Sequence, residues 1–432
     1  SNVGKAIEYL RRAGAQARQR SSHSEAVDYL TTGLRLLSGI RDERERVRLE
    51  LGLQIGLAQS LAVIKGYNEA ESALNRALEL GSQARDVDQL LISVLYLLRT
   101  LYLTRGESRK ALETSRELLV LAERERSPDS LVIAHYSVGQ ISMFRGELLS
   151  ARDHLERANT IAASAPLGST LTVAAENPRI LILSPLSWVL SLLGYADQGR
   201  ERGRESLTVT HGSSHLYWLS WSHMFQAYLG QFLRDMPLAQ EHADPAVEIA
   251  SENGFSQWAA WSFVPRGWTL VVGGHVEEGL AEIRRGFARL KTMRSGMFVL
   301  LRSVLADACA RSGRVHDGLS EVAEAINAAD SSGERLCEAE LHRVKGALLL
   351  MRDEANRDQA ESCFRKAIDV ARGQGAKLWE LRATTSLARL LANGGQRDEA
   401  RRSLAELYHW FTEGFDTADL KEAQALLAEL DE

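Results

Sequence analysis

The sequence predicts an all-α fold, a solenoid of about ten helix pairs with a period of roughly 40 residues. Apolar residues recur three and four apart along nearly the whole chain, the mark of amphipathic helices, and strand-like alternation is almost absent. Proline is scarce, at seven of 432 residues. Glycine-containing breaks at Gly66, Gly106, Gly146, Gly194, Gly274, Gly313 and Gly394 punctuate the pattern into helix, short turn, helix.

The repeat is clearest in one column of small residues, expected early in the second helix of each pair. It runs Ala26, Ala70, Ala111, Ala151, Gly199, Ala239, Gly279, Gly318, Ala360 and Ala400, at intervals of 39 to 48. Twelve residues earlier a second small column runs through Gly14, Ala58, Gly139, Ser187, Ala227, Gly267, Ala306 and Ala388. Arg99 interrupts it, and Gly346 joins it if the following turn is two residues longer. Small residues at matched heights let antiparallel helices approach closely, and units of this kind bury their apolar faces only by stacking on neighbours. Such a pair is tetratricopeptide-like, with longer helices than the usual 34-residue unit; that resemblance implies a right-handed superhelix.

Taken in order, residues 1–165 are expected to hold the N-terminal pairs and residues 179–432 the C-terminal pairs of one continuous solenoid. Between them, "SAPLGSTLTVAAENP" makes residues 166–178 the expected loop or joint. The closing "DTADLKEAQALLAEL" is expected to be a capping helix, started by Asp416 or Thr417 with Asp419 in its first turn.

Aromatic residues repeat on the same period in the middle pairs. Trp218/Trp258, Trp221/Trp261, Trp188/Tyr228 and Tyr228/Trp268 are each 40 apart. The column of Trp188, Tyr228 and Trp268 reads Gln59, Thr100 and Gln140 before them and Asp307, Ala347 and Arg389 after them. A parallel column reads Gly52, Ser93, Ile133, Leu181, Trp221, Trp261, Leu300, Glu340 and Arg382, aromatic only in the middle. Polar identities at both ends are uncommon in a core, so the columns are expected to face the inner groove. Trp188, Trp221, Tyr228, Trp261 and Trp268 would then form an aromatic patch suited to a peptide, protein or small-molecule ligand, with His223, Gln226, Gln231 and Arg266 as polar neighbours. The alternative is packing between repeats. Pro185 and Pro265, 80 apart, either kink first helices beside this patch or begin them.

Composition limits the function classes. A net charge of −5 and interspersed acidic and basic residues favour neither nucleic acid nor an anionic membrane. Three scattered cysteines suggest neither a disulfide framework nor a zinc site, and fit a cytoplasmic protein. The longest apolar run, "LLISVLYLL", is too short to span a bilayer. No catalytic constellation, metal site or cofactor motif is expected. "NVGKA" lacks the glycine and hydroxyl of a phosphate loop, and His211 and His215 flank "GSS", a loop rather than a zinc-binding helix. Asp153-His154 and the group Glu338, Glu340 and His342 read as solvated helix faces.

"LGYADQG", "ENGFSQWAAWSFVPRGW", "EAELHRVKGALLL", "ESCFRKAIDVARGQGAKLWELRATTSLARLL" and above all "GFDTADLKEA" resemble the C-terminal repeat region of a bacterial signalling family. In that family a class III adenylate/guanylate cyclase or other regulatory domain precedes an AAA-type ATPase and a long tetratricopeptide region. The resemblance implies that the chain is one part of a longer polypeptide, a non-catalytic sensor or interaction arm for an upstream cyclase or ATPase. It equally admits a constitutive docking scaffold, or the sensor arm of an ATPase-type transcriptional regulator.

Overall fold

A computed structural model describes residues 2–20, 22–64, 67–83, 88–164, 177–211, 216–293 and 298–431. Almost all of the expected joint at 166–178, together with Gly66 and His215, lies outside these.

Among the described residues there are 21 α-helices and no strand. Ten antiparallel pairs follow one another. They are α1 (Asn2–Gln19) with α2 (His23–Leu36), α3 (Glu43–Ile64) with α4 (Tyr67–Gln83), α5 (Asp88–Thr104) with α6 (Ser108–Glu125), α7 (Pro128–Phe144) with α8 (Leu148–Ser164), and α9 (Arg179–Leu192) with α10 (Ala196–His211). Then come α11 (Leu216–Leu233) with α12 (Met236–Glu252), α13 (Ser256–Val272) with α14 (Val276–Thr292), α15 (Val299–Arg311) with α16 (Val315–Ser332), α17 (Glu338–Arg352) with α18 (Arg357–Gln374), and α19 (Lys377–Asn393) with α20 (Arg397–Tyr408). The helix α21 (Ala418–Asp431) closes the array directly after Thr417, as expected.

All ten residues of the first small column are buried on second helices. The reason is sharpest in the α13/α14 pair. A Cβ on Gly267 would lie 2.5 Å from the Gly279 carbonyl oxygen, and a Cβ on Gly279 would lie 2.5 Å from that of Gly267. Gly346 packs against Phe364 and Ala360 of α18, across a turn lengthened by the 3-10 segment Glu354–Asn356. Arg99 does not break the third pair. It is buried, with its guanidinium over the Tyr96 and Tyr136 rings and Nη1 donating to Gln140 Oε1. Pro185 and Pro265 lie inside α9 and α13, so neither begins its helix.

Seven of the turns within pairs share one geometry. Glu107, Glu147, Tyr195, His275, Arg314 and Gln396 each donate a backbone N–H to the carbonyl five residues back, preceded by a glycine at positive φ. This glycine-capped helix ending is the general device for satisfying the last carbonyls of a helix. In the α11/α12 turn, Asp235 makes the same bond to Gly230, but the residue before it is Arg234, at φ 57.

The chain then returns upon itself. Backbone N–H groups of Arg335 and Leu336 donate to the Phe144 carbonyl at the end of α7. Glu413 accepts from the N–H groups of Asp197 and Gln198 at the start of α10, and Arg200 pairs with Asp416 at 2.8 Å. Trp410 packs on Tyr195, and Phe232 meets Trp379 edge-on. Such contacts join residues 147 to 217 apart, so the last pairs lie on the turns of the middle pairs. One apolar core accordingly runs unbroken from Leu51 to Trp379. The helix α3 is long and apolar enough to cross a membrane by length and composition, but its Leu51, Leu53, Ile55 and Ala58 are buried in this packing.

Candidate functional site

The rings of the aromatic columns are not on an open wall. Trp188, Trp221, Tyr228, Trp261 and Trp268 are all buried, and the expected groove-lining patch is corrected on this point. Two contacts fill the space. The first is the next pair. Trp188 Nε1 donates to the Phe225 carbonyl (2.8 Å), Tyr228 to the Trp261 carbonyl (3.1 Å) and Trp268 Nε1 to Asp307 Oδ2 (2.8 Å). Each of these three rings thus satisfies its polar tip on the first helix of the following pair, whereas the buried Nε1 of Trp221 has no hydrogen-bond partner. The Arg99–Gln140 bond repeats the relation earlier in the chain. The second is the returning coil, which brings Trp379 against Phe232 in the same stack as Trp188. The 40-residue aromatic period is therefore a staple between successive pairs.

The polar neighbours are placed likewise. His223 faces His242 of the same pair, Nδ1 to Nδ1 at 3.2 Å, and burial with that second ring lowers it to about 4. His135 and His154 form a matching contact at 2.9 Å, and His135 is likewise lowered to about 4, first by burial and then by His154. Gln226 and Gln231 are buried, and Arg266 is tied to Glu282. No cluster of three metal-ligating side chains occurs among the described residues.

Further along the same columns the side chains become charged and reach open space. A cavity of about 380 Å³ is bounded by α17, α18, α19, α21 and the α11/α12 turn. Arg234, Arg343, Arg382, Arg389, Asp419 and Glu422 form its polar part; Leu350, Met351, Phe364 and Leu390 form its apolar part. The expected solvated face around Glu340 is thereby corrected, since Glu340 is buried beneath this cavity.

Arg382 organises the polar part. Its Nε and Nη2 donate to the two oxygens of Asp419 at 2.9 and 2.6 Å, its Nη1 to Glu340 at 3.2 Å, and Nη2 also to the Phe232 carbonyl at 2.6 Å. Burial disfavours charge on Glu340, but Arg343 and Arg382 outweigh it and hold the carboxyl well below the usual carboxylate range. Burial likewise opposes charge on Asp307, where Arg311 prevails and lowers it. Arg234 adds bonds to Asp419 and Glu422 at 3.1 and 2.5 Å, and Arg389 one to Glu422 at 2.5 Å. Asp419, expected only as a first-turn acid complementing the helix end, is in fact a buried anchor between coils. Sequence reading placed Arg382 and Arg389 in groove-facing columns but missed Arg234. The available signal was spacing: Arg234 stands midway between Gly194 and Gly274, in the turn-glycine register.

Comparison with known proteins agrees with the architecture. The chain is similar to a Rap protein complexed with competence and sporulation factor, at TM-score 0.58 and 13% identity over 89% of this chain and 99% of that one. It is also similar to the apo form of RapI, at TM-score 0.51 and 14% identity over 67% of this chain and 98% of that one. At such identities the likeness bears on the fold alone, an α solenoid of tetratricopeptide type. No protein-family model matches the sequence, and no curated protein matches it.

Proposed function

We propose that this chain is a non-catalytic sensor and interaction module of a cytoplasmic signalling polypeptide, regulating a cyclase or AAA-type ATPase domain that precedes it. The observation that carries this reading is the ionic closure of the coil. Middle and last pairs are joined through a small set of charged contacts around Arg382, Arg234 and Arg200, beside a cavity that both coils line. A ligand in that cavity contacts both coils at once, so its affinity differs between a closed and an opened coil. That difference is the requirement for passing a binding event to another domain. The resemblance of "GFDTADLKEA" and the segments before it to cyclase–ATPase–repeat proteins supplies the regulated domain, and a Rap protein of the same fold is complexed with competence and sporulation factor. The absence of a catalytic motif from the sequence supports a binding role rather than turnover.

The test is a library of synthetic hexapeptides, half of them amidated at the C-terminus, screened against the chain, with selected peptides mapped by hydrogen exchange. Added protection in α17, α19 and α21 with altered exchange in α9 to α12 is the expected footprint. Failure of both peptides and small carboxylic acids to bind, or a footprint on the outer second helices, would overturn the reading. The rival, a constitutive docking scaffold, needs Asp307, Arg382 and Arg389 displayed along an open groove. Two of these, Asp307 and Arg382, are buried and ion-paired, which disfavours it.

A further inference from the structure

The cavity at the closure carries its own chemical preference, read from its hydrogen-bond balance. Both oxygens of Asp419 and both oxygens of Glu422 already accept from arginines. Guanidinium donors, in contrast, are in excess. Arg234 and Arg389 each commit only Nη1 among the described residues, while a guanidinium offers five N–H groups in a fixed fork. Of the four arginines that line the space, Arg343 and Arg382 are also paired with the buried Glu340, so the uncommitted donors belong to Arg234 and Arg389. The missing partner of such a lining is an acceptor with negative charge, and the fork geometry matches a carboxylate in bidentate fashion. The remaining wall, Leu350, Met351, Phe364 and Leu390, is apolar and suits a hydrocarbon group beside that charge.

The backbone of Arg234 is an independent indication. Six other turns within pairs place a glycine at positive φ, namely Gly106, Gly146, Gly194, Gly274, Gly313 and Gly395. Only the α11/α12 turn, among the described turns of this geometry, holds an arginine there, at φ 57. An L-residue in this region costs about 1 kcal/mol relative to glycine. The side chain that carries this strain is the one that reaches from the middle coil into the cavity between the last pairs.

We propose that this cavity binds a carboxylate bearing an apolar side group, with Arg234 and Arg389 as its charge contacts. The ligand is either a free carboxylic acid or the C-terminal residue of a peptide; the shared chemistry is the carboxylate beside a hydrocarbon group. This deepens the preceding functional reading, on which it rests, by naming what the closed coil recognises.

Isothermal titration of the whole chain tests it with N-acetyl-leucine, octanoate, and a leucine-ending hexapeptide with free or amidated C-terminus; sodium sulfate serves as an anion without an apolar group. The free carboxylates are expected to bind at least tenfold tighter than sulfate, and the free peptide at least tenfold tighter than its amide. A peptide that exceeds N-acetyl-leucine tenfold identifies a chain terminus as the source; parity identifies a free acid. Arg234→Gly and Arg389→Gln should each lower the affinity at least tenfold, and Arg365→Gln, on the outer helix α18, should not. Arg389 is half-exposed and paired once, so its variant tests the site even if Arg234→Gly alters folding. Binding that survives both substitutions, or no binding of any carboxylate, would overturn the proposal. Equal binding of amidated peptides would refute the carboxylate assignment while leaving the partner-binding reading standing; no binding of any peptide or acid would refute both.

Discussion

Replacing Arg382 with methionine removes the centre of the inter-coil contact while keeping its apolar bulk. The side chain is buried and bonds Asp419 twice, Glu340 once and the Phe232 carbonyl once. Removing one partner of a buried ion pair generally costs about 3 to 5 kcal/mol, because the remaining charge is left without compensation. Here the loss is partly offset: Asp419 keeps Arg234 at 3.1 Å, and Glu340 keeps Arg343 at 2.8 Å. The Phe232 carbonyl, left without its guanidinium, adds a desolvation cost of about 1 kcal/mol. The expected total is about 3 kcal/mol, more than a hundredfold in the local closing equilibrium. Native-state hydrogen exchange reads it directly, as faster exchange concentrated in α19, α21 and the end of α11, with α1 to α4 unchanged. Adding Asp419→Asn should cost far less in the Arg382→Met background than in the parent, a coupling of more than about 1 kcal/mol in the double-mutant cycle. A loss below about 1 kcal/mol, or additive behaviour, would refute the claim that this cluster holds the coils together.

Other expectations rest on separate contacts. Gly267→Ala forces the α13 and α14 backbones apart and should lower stability by about 2 kcal/mol, whereas Gly373→Ala, whose Cβ meets nothing within 4 Å, should raise it by about 0.5 kcal/mol in a urea titration. Trp268→Phe removes the indole donor to Asp307, which retains Arg311; a loss of about 1 kcal/mol is expected with helicity intact, and a neutral result would argue against the staple. The buried Glu334 carboxylate accepts the N–H groups of Leu300 and Val299, and burial pushes its pKa up to about 7 despite those bonds. Its folded value exceeds the unfolded one, so its contribution is full below about pH 4.5 and lost as pH rises through 7. Glu334→Gln should therefore flatten that limb and be the more stable protein at pH 8, by up to about 3 kcal/mol. His135 and His223 are shifted the opposite way, to about 4, so their contribution is present above about pH 6.5 and lost as pH falls through 4. Replacing both with glutamine should flatten the acid limb of a stability profile across that window.

The repeat itself was legible because each pair obeys local rules. Helical periodicity, a glycine at the turn and small residues at matched heights involve neighbours within about 40 residues, and every one of the ten pairs and the closing helix was placed from them. That the aromatic columns share one helix face was legible for the same reason. What lay in front of them was not. A shared period states that side chains point the same way; it does not state whether solvent, the next pair or a returning coil occupies that space. Glu340 and Asp419 were misread in the same manner: on their own helices they look like ordinary acids of an outer face and a first turn, and only Arg382 and Arg234 explain their burial.

By itself the sequence determined the unit, its number and its stacking order, since these follow from propensity, turn chemistry and close approach between adjacent helices. The tertiary structure alone decided that the coil closes. Closure sums small rotations over many pairs and is held by contacts between residues 147 to 217 apart, a distance across which no local pattern carries information. It turned a row of tryptophans into core, and left arginines facing the remaining open space.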